Sequence, residues 1–293
     1  MSDWNEERDD DNWDSDGWDE PADGEPVVTG SDEPDVGGPS PDTPDARALL
    51  GITVGAIGLV IGAFAIGTVS AIVLIVAIQA LGVNILENVL MLTVVSTVTL
   101  QGVGMLGISL WYLSRRGYGL EFLRLRMPTL RHVGLIVVGV FGTFAASIGV
   151  QSVLTVLGYE GGEHEIVQTA TGSPEILLAL IPLSFLLIGL GEELLFRGII
   201  QSRFVDRSGV PLGIVLASML FAVVHIPAYG GLDSLPTIVG LFFISLVLGG
   251  LYEYTENLFV PIVIHGAFNA IQFAGLYFAL TSDADVTLLL WPF

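Results

Sequence analysis

Residues 48–82 run without a single charged side chain, and six further apolar stretches follow at about 88–113, 132–157, 175–200, 210–226, 236–253 and 258–280. Most approach the ~20 residues that an α-helix needs to cross a ~30 Å hydrocarbon core. Inside lipid the backbone must satisfy its own hydrogen bonds, so each crossing has to be a helix or part of a closed barrel. The pattern predicts an all-α, polytopic transmembrane helix bundle of seven spans. The first run is too long for one upright helix at ~1.5 Å per residue. It must tilt, project from the bilayer or break in two, and a break would make eight spans.

The rest of the composition fits this class. The chain is 52% hydrophobic, carries no cysteine and has a net charge of −21. Absence of cysteine removes disulfides, thiol nucleophiles and thiolate metal sites. All ten basic residues are arginine. The acidic excess argues against a nucleic-acid partner, whose phosphates attract basic surfaces. Acid-rich, lysine-free composition also suggests a salt-loving host, because salt screens dense negative charge.

More than half of the 31 acids precede residue 48. Residues 1–46 are poor in aliphatics and rich in Asp, Glu, Gly and Pro, which predicts a disordered tail. Trp4, Trp13 and Trp18 sit in it among acids. Residues 47–293 form the expected membrane domain, with its functional core at 175–275. No basic segment leads an apolar core at the N-terminus, so no cleavable signal peptide is expected there. Arg115, Arg116, Arg124, Arg126 and Arg131 crowd one loop, and Arg203 and Arg207 another. The loop near 158–174 carries Glu160, Glu163 and Glu165 and no basic residue. Positive residues favour the cytoplasmic side. This orients the arginine loops inward in the cell membrane and makes the N-terminus cytoplasmic. Residues 118–131 mix Leu, Phe and Met with Arg, a pattern suited to the membrane surface.

Ionisable side chains within spans are costly and mark functional sites by default. Three patterns qualify: Glu192-Glu193-x-x-x-Arg197, Phe221-x-x-x-His225 and His265-x-x-x-Asn269. On a helix Glu193 and Arg197 share a face, while Glu192 is rotated about 100° away. One carboxylate is therefore paired and the other left free as a general base. The turn between two spans falls near Ser208-Gly209. Antiparallel helices then put Glu193 and His225 at similar height, each ~23–25 Å from that turn. Phe221 lies on the face of His225 and walls its ring. His265 and Asn269 share a face across small Gly266 and Ala267, which permits close helix approach. They supply two donors for a developing oxyanion, or serve as interhelical polar contacts. Glu253 and Glu256 flank an apparent loop and are expected in solvent. His132 is expected at an interface, and His164 has no partner pattern.

These three motifs, in this order on successive spans, resemble the CPBP intramembrane protease family. It includes the type II CAAX prenyl endopeptidases and the bacteriocin-processing and immunity (Abi) proteins. The resemblance covers roughly residues 88–280, best 175–275. It implies an endopeptidase in which Glu192 activates water, Glu193 is held by Arg197, His225 binds and polarises the water, and His265 and Asn269 stabilise the oxyanion. The family is often described as metalloprotease. Glu192, His225 and His265 are the candidate ligands should zinc be the cofactor, although none of the motifs is the HExxH pair of many zinc proteases. Membrane lipid and a peptide or membrane-protein substrate, lipidated ones included, are the implied partners. The expected cut lies near the cytoplasmic half of the bilayer. A non-enzymatic scaffold or immunity-type protein of the same fold is the main alternative. A proton-coupled transporter using Glu192 and His225 is a further one.

Overall fold

Eight helices and short connecting turns make up the computed structural model, which describes residues 46–159, 165–229, 231 and 234–282. The expectations for the acidic tail and for Glu160, Glu163 and His164 fall outside these residues. Helix α1 is Ala46–Ala80, α2 Val89–Arg116, α3 Leu130–Val156 and α4 Glu165–Gly172. Then come α5 Glu175–Ser208, α6 Val210–Val224, α7 Leu235–Thr255 and α8 Phe259–Thr281. No strand occurs among the described residues. Six of the helices are long and apolar enough to cross a membrane; α6 is a shorter apolar helix of 15 residues. The chain is an integral, multi-pass membrane protein. The first run stays whole as one helix of 35 residues, about 52 Å long at 1.5 Å per residue. It therefore tilts or projects instead of breaking.

The boundaries have local causes. Asn88 starts α2 by accepting the Met91 N–H at 2.8 Å, satisfying one of the orphan donors of a first turn. Thr129 and His132 cap α3 reciprocally: the threonine hydroxyl takes the His132 N–H, and His132 Nδ1 takes the Thr129 N–H. Gly209, at φ +77°, adopts the left-handed backbone that reverses the chain between α5 and α6.

Burial separates two groups of helices. In α1, α2 and α3, 17% of the most apolar window is buried, against 39% in α5, 50% in α7 and 44% in α8. The first three therefore give most of their surface to the surroundings. They touch the inner group along seams. Ala56, Val60 and Ala63 of α1 pack with Met105, Phe196 and Phe221. Ile136, Val140 and Phe144 of α3 pack on Ile244, Leu248 and Phe268. Phe144 and Phe268 bring their rings within 4.7 Å.

One end of the bundle is closed by polar contacts. Asn257, wholly buried, accepts the Arg126 and Phe259 N–H groups on Oδ1 and donates to His132 Nδ1. Arg124 meets Glu253 at 3.0 Å, and Gln201 donates to the same carboxylate at 2.9 Å. These bonds clamp the 118–131 segment onto the α7–α8 turn. Leu120, Met127 and Leu130 remain exposed along it. The expectation that Glu253 is solvated is corrected: α7 continues past it, and its side chain is only 10% exposed. Glu256 does stand in the turn, exposed and at φ +48°.

Candidate active site

Pro182 lies inside α5 and can donate no backbone hydrogen bond. The helix widens directly after it into a π-helical stretch, Ser184–Ile188. It widens again over Leu194–Gln201. Glu192 and Glu193 occupy the α-helical turn Gly189–Glu193 between the two. Wide turns of this kind frequently mark functional sites. Glycine brings the neighbours close. A Cβ on Gly189 would sit 2.9 Å from the Ile262 carbonyl oxygen of α8, and one on Gly191 2.8 Å from that of Gln101 in α2. Gly266, expected to allow close approach, packs against the Phe185 ring.

The two glutamates divide their partners. Glu193, wholly buried, places Oε1 3.0 Å from Arg197 Nη1 and 2.7 Å from His265 Nδ1. Arg197 donates to the Ser245 hydroxyl at 3.0 Å, and its guanidinium lies 4.6 Å from the Phe221 ring centroid. A buried carboxylate needs such compensation, because desolvation costs several kcal/mol per ion. Glu192 makes a different set of contacts. Its Oε1 accepts Gln101 Nε2 at 2.9 Å. Its Oε2 lies 3.8 Å from His225 Nε2 and 3.8 Å from His265 Nε2, and has no hydrogen-bond partner among the described groups.

The ring orientations follow from what the other nitrogens meet. His225 Nδ1 is 2.7 Å from the Phe221 carbonyl oxygen, which only accepts, so Nδ1 carries the proton. In the neutral ring Nε2 is then a free acceptor aimed at Glu192. Phe221 also stacks beside this ring, with centroids 4.5 Å apart.

Glu192 and His225 stand on the wall of a cavity of about 640 Å³, as do Gln101 and Asn269. His265 sits behind Glu192, joined to Glu193. The fold thus gathers Glu192, Glu193, Arg197, His225 and His265 into one buried cluster, with Asn269 one helical turn along α8 on the cavity wall. Two contributors escaped the motif reading: Gln101 and Ser245. Gln101 is a lone amide in an apolar span, a usable signal, but nothing in its spacing points to a partner 91 positions away.

Two imidazoles and a carboxylate are chemically suitable zinc ligands. Their Nδ1 atoms are already engaged, as the outer contacts of metal-binding histidines are. The spacing is less suitable. A tetrahedral zinc with bonds of ~2.0–2.1 Å needs donors about 3.3 Å apart, and these pairs stand at 3.8 Å. Among the described residues no group of three such side chains is arranged to hold a metal ion.

Residues 174–271 match the family model described as type II CAAX prenyl endopeptidase Rce1-like. This stretch holds all three motifs, and the match is consistent with the CPBP family. A protein of Bacillus subtilis (strain 168), the uncharacterized protein YpbD, is 31% identical over 112 residues. The aligned part is 38% of this chain and 51% of that protein, so the match spans about half of the relative's length. No solved structure matches the chain.

Proposed function

We propose that this protein is an intramembrane endopeptidase of the CAAX type that hydrolyses a peptide bond with water activated by Glu192. The observation that carries the reading is the convergence of Glu192 Oε2, His225 Nε2 and His265 Nε2 beside a large cavity inside a membrane bundle. A water here donates one hydrogen to Glu192 Oε2 and the other to His225 Nε2, which leaves a lone pair for the substrate carbonyl. Glu192 takes the proton as the C–O bond forms. The tetrahedral oxyanion then collapses, the C–N bond breaks, and Glu192 returns the proton to the departing amine. No covalent acyl-enzyme is involved.

The other residues have supporting roles. Two buried carboxylates face one buried guanidinium, so an imidazolium at His265 completes the charge balance. Its Nδ1–H then serves Glu193 and its Nε2–H points at the reacting centre. The Asn269 carboxamide offers a second donor to the oxyanion. Gln101 fixes one oxygen of Glu192 so that the other faces the water.

The substrate class is a membrane-borne polypeptide, lipidated chains included, in keeping with the family resemblance. Arginine placement supports a cytoplasmic side for the N-terminus and the arginine loops. The test uses purified protein in vesicles with a panel of membrane-inserted peptides in ¹⁸O-water. The expected result is one heavy oxygen in the new carboxyl terminus and loss of product in a folded His225→Ala variant. Undiminished product from that variant would end the assignment.

A further inference from the structure

Apart from buried Arg197, every arginine of the described residues belongs to one end of the bundle. Arg47 opens α1, Arg115 and Arg116 close α2, and Arg203 and Arg207 close α5. Contacts show that these positions share an end. Arg203 donates to the Tyr118 hydroxyl at 3.3 Å, Arg131 to that of Tyr254 at 2.7 Å, and Ala48 lines one small cavity with Arg116 and Arg207. The opposite end carries Glu87, Glu165 and Glu175.

The large cavity runs from Glu192 towards that acidic end. Thr93 lies early in α2, Gln151 late in α3, Ile166 in α4, Leu180 early in α5, Thr237 early in α7 and Gln272 just past the middle of α8. Given the alternating directions of these helices, all six fall on the half away from the arginines. Pro227, also on the wall, is exposed in the α6–α7 connection. A further rim passes Ile61 of α1 and Val223 of α6, which are 63% and 53% exposed. These residues make an apolar rim between the middle of α1 and the end of α6. Besides Glu192 and His225, the polar wall is built largely from hydroxyls and amides such as Ser96, Gln151 and Asn269. Such groups hydrogen-bond an extended peptide backbone without demanding a charge.

We infer that the cavity is entered from the arginine-free, non-cytoplasmic side, and that its occupant is an uncharged segment of a translocated or membrane-anchored polypeptide. This rests on the proposed protease reading for its chemistry and on the positive-inside tendency for its side.

The chain contains no cysteine, so single-cysteine variants can be read without background. Glu87→Cys marks the acidic end, Ser114→Cys the arginine end and Thr93→Cys the cavity wall. Intact cells are treated with a membrane-impermeant maleimide, then again after disruption. Glu87→Cys and Thr93→Cys are expected to react in intact cells, and Ser114→Cys only after disruption. A Thr93→Cys that reacts only after disruption, or never, overturns the inference, as does labelling of Ser114→Cys from outside. Labelling requires no activity. Failure of the wild type to cleave any peptide would therefore end the protease reading and leave the side of entry decided.

Discussion

Two buried polar clusters stand at different depths of the same bundle, and they are built differently. At the arginine end, both oxygens of Glu253 are taken by Arg124 and Gln201, and Asn257 uses its oxygen and its nitrogen on protein partners. At mid-bundle each glutamate keeps one oxygen without a hydrogen-bond partner: Glu193 is held on Oε1 from two sides with Oε2 buried, while Glu192 leaves Oε2 facing two imidazole nitrogens beside a cavity. The first cluster spends nearly all its polar atoms on joining the 118–131 segment to α7 and α8, with Gln201 Oε1 left over. The second spends only part of them on structure. Glu193, Arg197 and Ser245 form the scaffold that keeps the remaining carboxylate oriented. What separates a structural cluster from a chemical one here is where the last acceptor points.

Four substitutions sharpen or break this contrast. The largest effect is expected from Arg197→Ala, which strands the Glu193 carboxylate in the bundle. It should cost about 3–5 kcal/mol of stability and abolish cleavage, read by thermal unfolding in detergent beside an activity assay. Unfolding like that of the wild type would mean that Glu193 is compensated elsewhere. Next comes Gln101→Met, which keeps the volume and removes the donor to Glu192. Misplacing a catalytic group by ~1 Å can cost ~10²-fold in rate, so kcat should fall by about that factor while KM and thermal unfolding hold. If KM rises and kcat does not change, Gln101 contacts substrate and does not orient the base.

Asn257→Ala should act the other way round. It leaves buried partners of the clamp unsatisfied, at about 1–3 kcal/mol, and should leave kcat intact in the folded fraction. Lost turnover in fully folded Asn257→Ala protein would join the two clusters into one functional unit. The smallest effect belongs to Glu253→Gln. Its partner Arg124 has a side chain 29% exposed, and partly exposed ion pairs contribute about 0–1 kcal/mol. A larger loss would show that the clamp depends on charge.

Much of this site was legible before the fold. Positions four apart on a helix share a face, so Glu193–Arg197 and Phe221–His225 were readable as pairs, and both meet in the structure. Equal distance from the Ser208-Gly209 turn was readable too, and Glu192 does lie across from His225. Contacts between distant helices were not. Gln101 reaches Glu192, and Arg124 reaches Glu253, because of how whole helices pack, which no local period encodes. The Glu253 misreading has a specific cause. A run of Tyr, Thr, Asn and Glu looks like a loop, yet α7 continues to Thr255, and the neutralising arginine arrives from another segment. The single long α1 was undetermined for a related reason, since an apolar run without a breaker does not state its tilt.

The central claim is that Glu192, alone of the two adjacent carboxylates, handles the proton of the attacking water. Glu192→Gln nearly preserves shape and retains an acceptor for Gln101, and it removes the base. The deciding measurement is its kcat in vesicles against the wild type, on one peptide and with equal folded protein. The account predicts a fall of about 10²–10⁴-fold, the usual contribution of a general base, with unfolding little changed. A Glu192→Gln enzyme within a few-fold of wild type would contradict it and direct attention to a non-enzymatic role for the same bundle.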